Sequence, residues 1–171
     1  NWVLEGLSSG ADVLEPAIGL GVFSRTMCRM KPNLNIVGYD IDKTIFSYAL
    51  SNFRATNYKI NLNNEDYLKA SWTQKYDAII CNPPYLKFHD YDNATLIPLV
   101  NKKLQTHLNG FTNIYTLFLL KSVFQLKENG RLAYIIPSEF LNSDYGVEVK
   151  RELLKSGTLR HVIIVDFNQC A

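Results

Sequence analysis

The sequence predicts an α/β domain built on a mostly parallel sheet with helices on both faces. Three observations carry that expectation. Short β-like runs alternate with amphipathic helical stretches, a glycine-containing turn joins the first strand to the first helix, and no linker or internal repeat interrupts the alternation. The 171 residues suit one domain, large enough to bury about 70% of the surface its unfolded chain exposes.

Ala11–Glu15 reads as the first strand and Val22–Met30 as the helix after the glycine turn. Leu34–Tyr39 is the second strand. Asp42, a capping residue type, then opens a helix reaching Phe53, with Ile45, Phe46, Ala49, Leu50 and Phe53 recurring at helical period. Tyr58–Leu62 is a weaker third strand and Tyr76–Cys81 a strong fourth. Residues 86–111 are polar with interspersed aromatics and read as a loop, then a helix near Leu96–Leu108. From Thr112 to Lys127 the run bearing Ile114, Leu117, Phe118, Leu119, Leu120, Val123 and Phe124 is apolar almost all round, the pattern of a buried helix. Asn129-Gly130 is expected to stop that helix as a left-handed cap. Arg131–Pro137 follows as the fifth strand, Tyr145–Lys155 as a helix with Val147 and Leu154 inward, and Leu159–Phe167 as the sixth strand.

Composition narrows the function classes. Hydrophobic content of 47% and charged content of 20% are ordinary for a globular enzyme core. A net charge of +2 is too small to announce nucleic-acid binding by the domain as a whole. Lys87, His89, Lys102, Lys103 and His107 could form a local basic patch, although a solvated helix face is the better reading. Cys28, Cys81 and Cys170 are widely spaced, no CxxC pair occurs, and His89, His107 and His161 form no ligand-spaced cluster, so no metal site is expected. No signal peptide and no membrane-spanning apolar run is visible, and a reducing, cytoplasmic location follows as the default.

The chemistry concentrates in two places. Asn82-Pro83-Pro84-Tyr85 ends the fourth strand. Its prolines restrict the backbone and lack N–H groups, leaving carbonyl oxygens free to accept from a ligand. An amide, free carbonyls and a tyrosine ring suit a planar group bearing an exocyclic amine. Glu15-Pro16-Ala17-Ile18-Gly19-Leu20-Gly21-Val22-Phe23 occupies the turn from first strand to first helix, where glycines permit close backbone approach to a ligand. A simple tight turn would look the same. Asp40, however, ends the second strand 19 residues after Gly21, where a carboxylate would meet ribose hydroxyls. Glu15 at the strand end favours a cationic ligand group over a pyrophosphate. Together these favour S-adenosylmethionine over NAD. Asp66-Tyr67, after the third strand, would accept from the cofactor adenine amine and cover its ring, or would simply cap a turn.

These motifs, in this order, with Gly38-Tyr39-Asp40-Ile41-Asp42 between them and Asn113-Ile114-Tyr115-Thr116-Leu117-Phe118 and Gly130–Pro137 after them, resemble the gamma-type N6-adenine-specific DNA methyltransferases of restriction–modification systems, of the Taq-like and Eco57I-like kind. The resemblance covers essentially the whole chain. It implies a Rossmann-like S-adenosylmethionine-dependent methyltransferase fold lacking the final antiparallel strand. It also implies that Glu15 and Asp40 engage the methionine and ribose ends of the cofactor, with Pro16, Ala17, Gly19 and Gly21 shaping the close backbone approach. Ile41 would pack on the cofactor adenine, Asp66 and Tyr67 would meet its edge and face, and Phe23 and Phe118 would add apolar walls. Asn82 would also touch the cofactor; it and the Pro83 carbonyl would accept from the target amine, with Pro84 holding the turn and Tyr85 stacked on a base flipped out of DNA.

The resemblance has gaps. The family carries a segment before the first motif, and beyond the sixth strand it continues into a base-stacking aromatic, a seventh strand and a target-recognition domain. Residues 1–171 are therefore expected to be a single catalytic core of a longer enzyme, with DNA reached mostly through an absent recognition region and a cognate restriction endonuclease as a possible partner. Phe167 suits a core position better than that aromatic. Two competing readings stay open. One is a methyltransferase acting on a release-factor glutamine amide or an RNA base. The other is a cofactor-binding module inactive without its recognition domain.

Overall fold

The computed structural model describes residues 2–165. A short 3-10 turn at Trp2–Leu4 precedes β1 (Asp12–Glu15), α1 (Val22–Met30), β2 (Asn35–Tyr39), α2 (Lys43–Arg54), β3 (Lys59–Asn63) and β4 (Tyr76–Cys81). Then come α3 (Asn93–Leu104), α4 (Ile114–Gln125), β5 (Leu126–Tyr134), a second 3-10 turn at Ser138–Leu141 and α5 (Gly146–Lys155). The five strands form one sheet in the order β3-β2-β1-β4-β5, and every neighbouring pair is parallel. The strand order reverses between β1 and β4, and in open parallel sheets ligands bind at the carboxyl ends beside such a reversal.

Both faces are covered, as expected. On one, Leu14, Ile79 and Cys81 pack beneath Leu96, Ile97 and Val100 of α3, Leu117 and Leu120 of α4, and Val149 and Leu153 of α5. On the other, Val13, Ile36 and Ala78 meet Val3 and the Met27 and Cys28 side chains of α1. In α4 the apolar run is buried on nearly every side, so it is the helix most deeply enclosed by its neighbours. Asp42 caps α2 by accepting from the Thr44 and Ile45 amides, and Asp92 caps α3 by accepting from Thr95.

Several expectations are corrected. The Asn129-Gly130 pair does not cap α4, which ends at Gln125 and passes directly into β5. Asn129 has φ of 61°, and the register jumps from Tyr76↔Leu126 to Ala78↔Arg131, so the pair forms a bulge inside β5. A Cβ at Gly130 would lie 3.0 Å from the Asp77 carbonyl oxygen, so the close approach of β4 selects glycine there. The helix expected over Leu96–Leu108 spans Asn93–Leu104 instead, because Gln105 turns left-handed with φ of 56°. In α2, Leu50 is exposed and the buried positions are Ala49 and Phe53. In α5, Val147 and Leu154 face outward; Gly146, Val149 and Leu153 form the buried stripe. The sixth strand is not formed over 159–165, whose residues are exposed and carry no regular structure, and Phe167 lies outside the described residues.

Candidate functional site

The strand ends supply the site. Glu15 closes β1 and Asn82 follows β4, and these strands are neighbours with Leu14 opposite Ile79. Asp40 follows β2, and Asp66 opens the turn after β3. The reversal in strand order therefore brings the glycine turn and the Asn82–Tyr85 turn side by side.

Glu15 is buried, and its Oε2 accepts from the Ser24 amide at 2.9 Å and from the Ser24 hydroxyl. Ser24 is the third residue of α1, whose own N-cap, Gly21, has no side chain to offer. A carboxylate from the preceding strand thus caps the helix, where the N-terminal field favours negative charge. Burial nevertheless pushes the Glu15 carboxyl up to about 7, with the bonds from Ser24 pulling against it.

Between them the glycine turn is left-handed at two points, φ 53° at Gly19 and 75° at Gly21. A Cβ on Gly21 would come 2.5 Å from Phe53 of α2, whereas one on Gly19 would meet open space. Gly21 is therefore required by packing, while Gly19 leaves its outer side clear for a ligand. The Gly19 amide donates to Asp40 Oδ2 at 3.0 Å, and the Asp42 amide donates to Asp40 Oδ1 at 2.9 Å. Asp40 thereby ties the end of β2 to the glycine turn and keeps its carboxylate at the rim. Next to it Ile41 is 71% exposed, an apolar side chain projecting beyond the sheet. Asp66 Oδ1 accepts from the Leu68 amide at 2.9 Å, which holds the carboxylate in its turn. Carboxylates for a diol and an ammonium, an open glycine turn and an exposed apolar platform fit the chemistry of S-adenosylmethionine.

Three predicted cofactor contacts are placed away from the site carboxylates. Tyr67 and Phe118 are core residues, 2% and 6% exposed, with ring centroids 5.1 Å apart. The Tyr67 ring is packed against Tyr39, Phe118 and the Lys121 Nζ, and its hydroxyl donates to Gln125 at 2.7 Å. Phe23 lines a cavity of about 280 Å³ with Trp2, Met27, Ile80 and Ala133, none of whose walls is one of the site carboxylates.

In the Asn82–Tyr85 turn, Pro83 is buried while Asn82 and Tyr85 are exposed. The Tyr85 hydroxyl shares its one hydrogen between Asn82 Oδ1 and, at 3.1 Å, the Ile135 carbonyl just past the end of β5. Tyr115 meets Tyr85 edge-on at 6.4 Å and continues into a polar network. There the Asn113 amide donates to Glu139 at 2.6 Å and to the Tyr145 hydroxyl at 2.9 Å. Sequence reasoning missed this network and the Ser24 partner of Glu15. Asn113 and Ser24 read locally as capping and helix residues, and only the tertiary fold supplies their partners.

An all-parallel sheet in this order, with a glycine turn and acidic strand ends at its carboxyl edge, is the Rossmann-like α/β fold of S-adenosylmethionine-dependent methyltransferases. Solved structures agree on the fold. One described as a class I S-adenosylmethionine-dependent methyltransferase from Listeria monocytogenes superposes with a TM-score of 0.72 at 19% identity, covering 90% of this chain and 47% of that one. Coclaurine N-methyltransferase bound to N-methylheliamine and SAH gives a TM-score of 0.51 at 16% identity, over 75% of this chain and 31% of that one.

More narrowly, the chain belongs to the Eco57I restriction-modification methylases, whose family model matches residues 23–170. It is 54% identical to the type II methyltransferase M.AccI of Acinetobacter calcoaceticus, over 98% of this chain and 31% of that protein. It is 25% identical to M.HincII of Haemophilus influenzae, over 95% of this chain and 30% of that one. A tRNA1(Val) (adenine(37)-N6)-methyltransferase of Vibrio vulnificus is 27% identical over 74% of this chain and 51% of its own length. The chain thus spans under a third of the two restriction–modification relatives.

Proposed function

We propose that this chain is the catalytic core of an enzyme that moves a methyl group from S-adenosylmethionine to the N6 amine of an adenine in DNA, as the modification partner of a restriction endonuclease. One observation carries the reading: the Asn82–Tyr85 turn ends β4 directly beside the glycine turn that ends β1, so acceptor and donor groups meet at one strand reversal. The atom and the polymer have separate support. A relative named for adenine N6 in tRNA supports the amine as acceptor, and 54% identity to a type II methyltransferase, against 27% to the tRNA enzyme, supports DNA as the polymer.

The cofactor supplies an electrophilic methyl on a sulfonium. Everything else falls to the protein. Adenine N6 is a poor nucleophile because its lone pair is delocalised into the ring. Asn82 Oδ1 and the Pro83 carbonyl, accepting its two hydrogens, favour a pyramidal, electron-rich nitrogen. That interaction strengthens towards the transition state, where it lowers the barrier. Holding the amine in line with the methyl supplies much of the remaining acceleration. The methylated ammonium is acidic and loses its proton readily, so the turn needs no dedicated base. To reach it, the adenine leaves the duplex and takes the place at Asn82 that the Tyr85 hydroxyl holds.

The reading is tested by methyl transfer from labelled S-adenosylmethionine to unmethylated DNA, RNA and release factor offered separately to the full chain. Label in DNA as N6-methyladenine is expected. Label in RNA or in a glutamine side chain instead would assign the enzyme to a different acceptor.

A further inference from the structure

Lys121, in the middle of α4, is fully buried, and an ammonium is an expensive way to fill a core. Its partners are main-chain oxygens. Nζ donates to the Tyr67 carbonyl and, at 3.0 Å, to the Ala70 carbonyl, and it lies 4.3 Å and 4.8 Å from the Tyr67 and Trp72 ring centres. Gln125, one turn further along α4, donates to the Ser71 and Gln74 carbonyls at 3.1 Å and 3.2 Å and accepts from the Tyr67 hydroxyl. Ser122 shares that hydroxyl at 3.0 Å. Most of the polar face of an otherwise apolar helix is thus committed to residues 67–74, with Ser122 also meeting the Tyr134 hydroxyl of β5 at 2.5 Å.

That segment grows out of Asp66. The Asp66 carbonyl accepts from the Lys69 and Ala70 amides, both at 3.0 Å, and its side chain accepts from Leu68. Lys121 clamps the far side of this turn through the Tyr67 and Ala70 carbonyls. The other end of the helix faces the acceptor turn. Ile114 donates to the Leu86 carbonyl at 3.2 Å, and Asn113 Oδ1 accepts from the Phe88 amide at 3.2 Å. The same rigid helix therefore holds the segment after Asn82–Tyr85 and the turn that presents Asp66.

We propose that Lys121 is a positioning residue for cofactor recognition, setting through the Tyr67 and Ala70 carbonyls where Asp66 stands relative to the acceptor turn. A methionine there would pack as well and spare the charge. What the lysine adds is a pair of directed bonds to the turn. The proposal rests on the reading of Asp66 as a cofactor contact, and the two fail separately.

The experiment is calorimetric titration of the full chain with S-adenosylmethionine, on wild type, Lys121→Met, Asp66→Asn and the double variant. Lys121→Met should weaken binding about tenfold and raise KM for the cofactor in step, while kcat at saturating cofactor changes less than about twofold. The double variant should bind no more weakly than Asp66→Asn alone, because both changes remove the same contact. Gln125→Met loosens the same clamp at lower risk to the fold, and should weaken cofactor binding in the same direction by a smaller factor. Unchanged cofactor affinity in Lys121→Met or Gln125→Met with only a lower melting temperature would reduce the cluster to core packing. Additive losses in the double variant would also overturn the proposal. Unchanged affinity in Asp66→Asn removes the contact on which it rests.

Discussion

Replacing Glu15 by glutamine separates the cost of burying a charge from the use of that charge. Both Ser24 donors point at one Glu15 oxygen, and a glutamine carbonyl can accept the same two bonds. Burial raises the carboxyl from its usual 4.5 to about 7, so the native state binds this proton more tightly than the unfolded state. The sign follows from that difference. The group costs nothing below pH 4.5, and stability is lost as pH rises from there through about 7. A rise from 4.5 to about 7, at about 1.4 kcal/mol per unit, makes the ionised side chain cost about 3 kcal/mol at pH 8. Glu15→Gln should therefore be about 3 kcal/mol more stable than wild type at pH 8, or roughly 6–12 °C in melting temperature, and no more stable at pH 4.5. Urea melts of both proteins at both pH values measure this, and titrations elsewhere cancel between them. Cofactor affinity should move oppositely, falling about tenfold at pH 8 as the partner of a cationic ligand group is lost. An equal stability difference at both pH values, or a variant less stable at pH 8, would refute the claim that burial governs this carboxylate.

Other predictions follow from the same geometry. Gly21→Ala should destabilise the fold by about 1–3 kcal/mol in a urea melt, through its left-handed backbone and the approach of Phe53. Gly19→Ala meets open space, so it should cost only about 1 kcal/mol in stability while weakening cofactor binding measurably by calorimetry. Tyr85→Phe keeps the ring but frees Asn82 Oδ1, so steady-state transfer should hold within about tenfold of wild type, whereas Tyr85→Ala should lose more. Lys127 pairs with Asp12 at 3.0 Å and Asp77 at 2.9 Å, at the opposite end of the sheet from the site. Being partly exposed, it should cost only about 1 kcal/mol on replacement by methionine and leave cofactor affinity unchanged.

Much of the fold was legible because its signals are local. The Val22–Met30 helix and the Tyr76–Cys81 strand stand where periodicity and apolar runs put them, and Asp42 caps α2 as its side-chain chemistry dictates. The site motifs were legible for a related reason. Glu15 closes a strand and Asp40, Asp66 and Asn82 follow strands, and a parallel sheet gathers strand ends at one edge whatever the helices do. What escaped depends on long-range partners. Asn129-Gly130 carries a real turn signal, but whether it caps a helix or bulges a strand is decided by the pairing of β5 with β4. Tyr67 was drawn to the cofactor by its neighbour Asp66, and only the α4 residues Ser122 and Gln125 draw its hydroxyl inward. Val147 and Leu154 show the limit of apolar identity alone. The buried stripe of α5 runs through Gly146 and Val149, which the packing of the Phe140 carbonyl against Gly146 selects.

On the function proposed above, the turn beginning at Asn82 receives the methyl acceptor and adds little to cofactor affinity. Asn82→Ala measures it most directly, with S-adenosylmethionine affinity and transfer to unmethylated DNA read on the same preparation. Cofactor affinity is expected within about threefold of wild type and transfer reduced by at least about a hundredfold, the loss typical of removing a preorganised transition-state contact. Transfer surviving at wild-type rate, or lost only in proportion to cofactor binding, would contradict it.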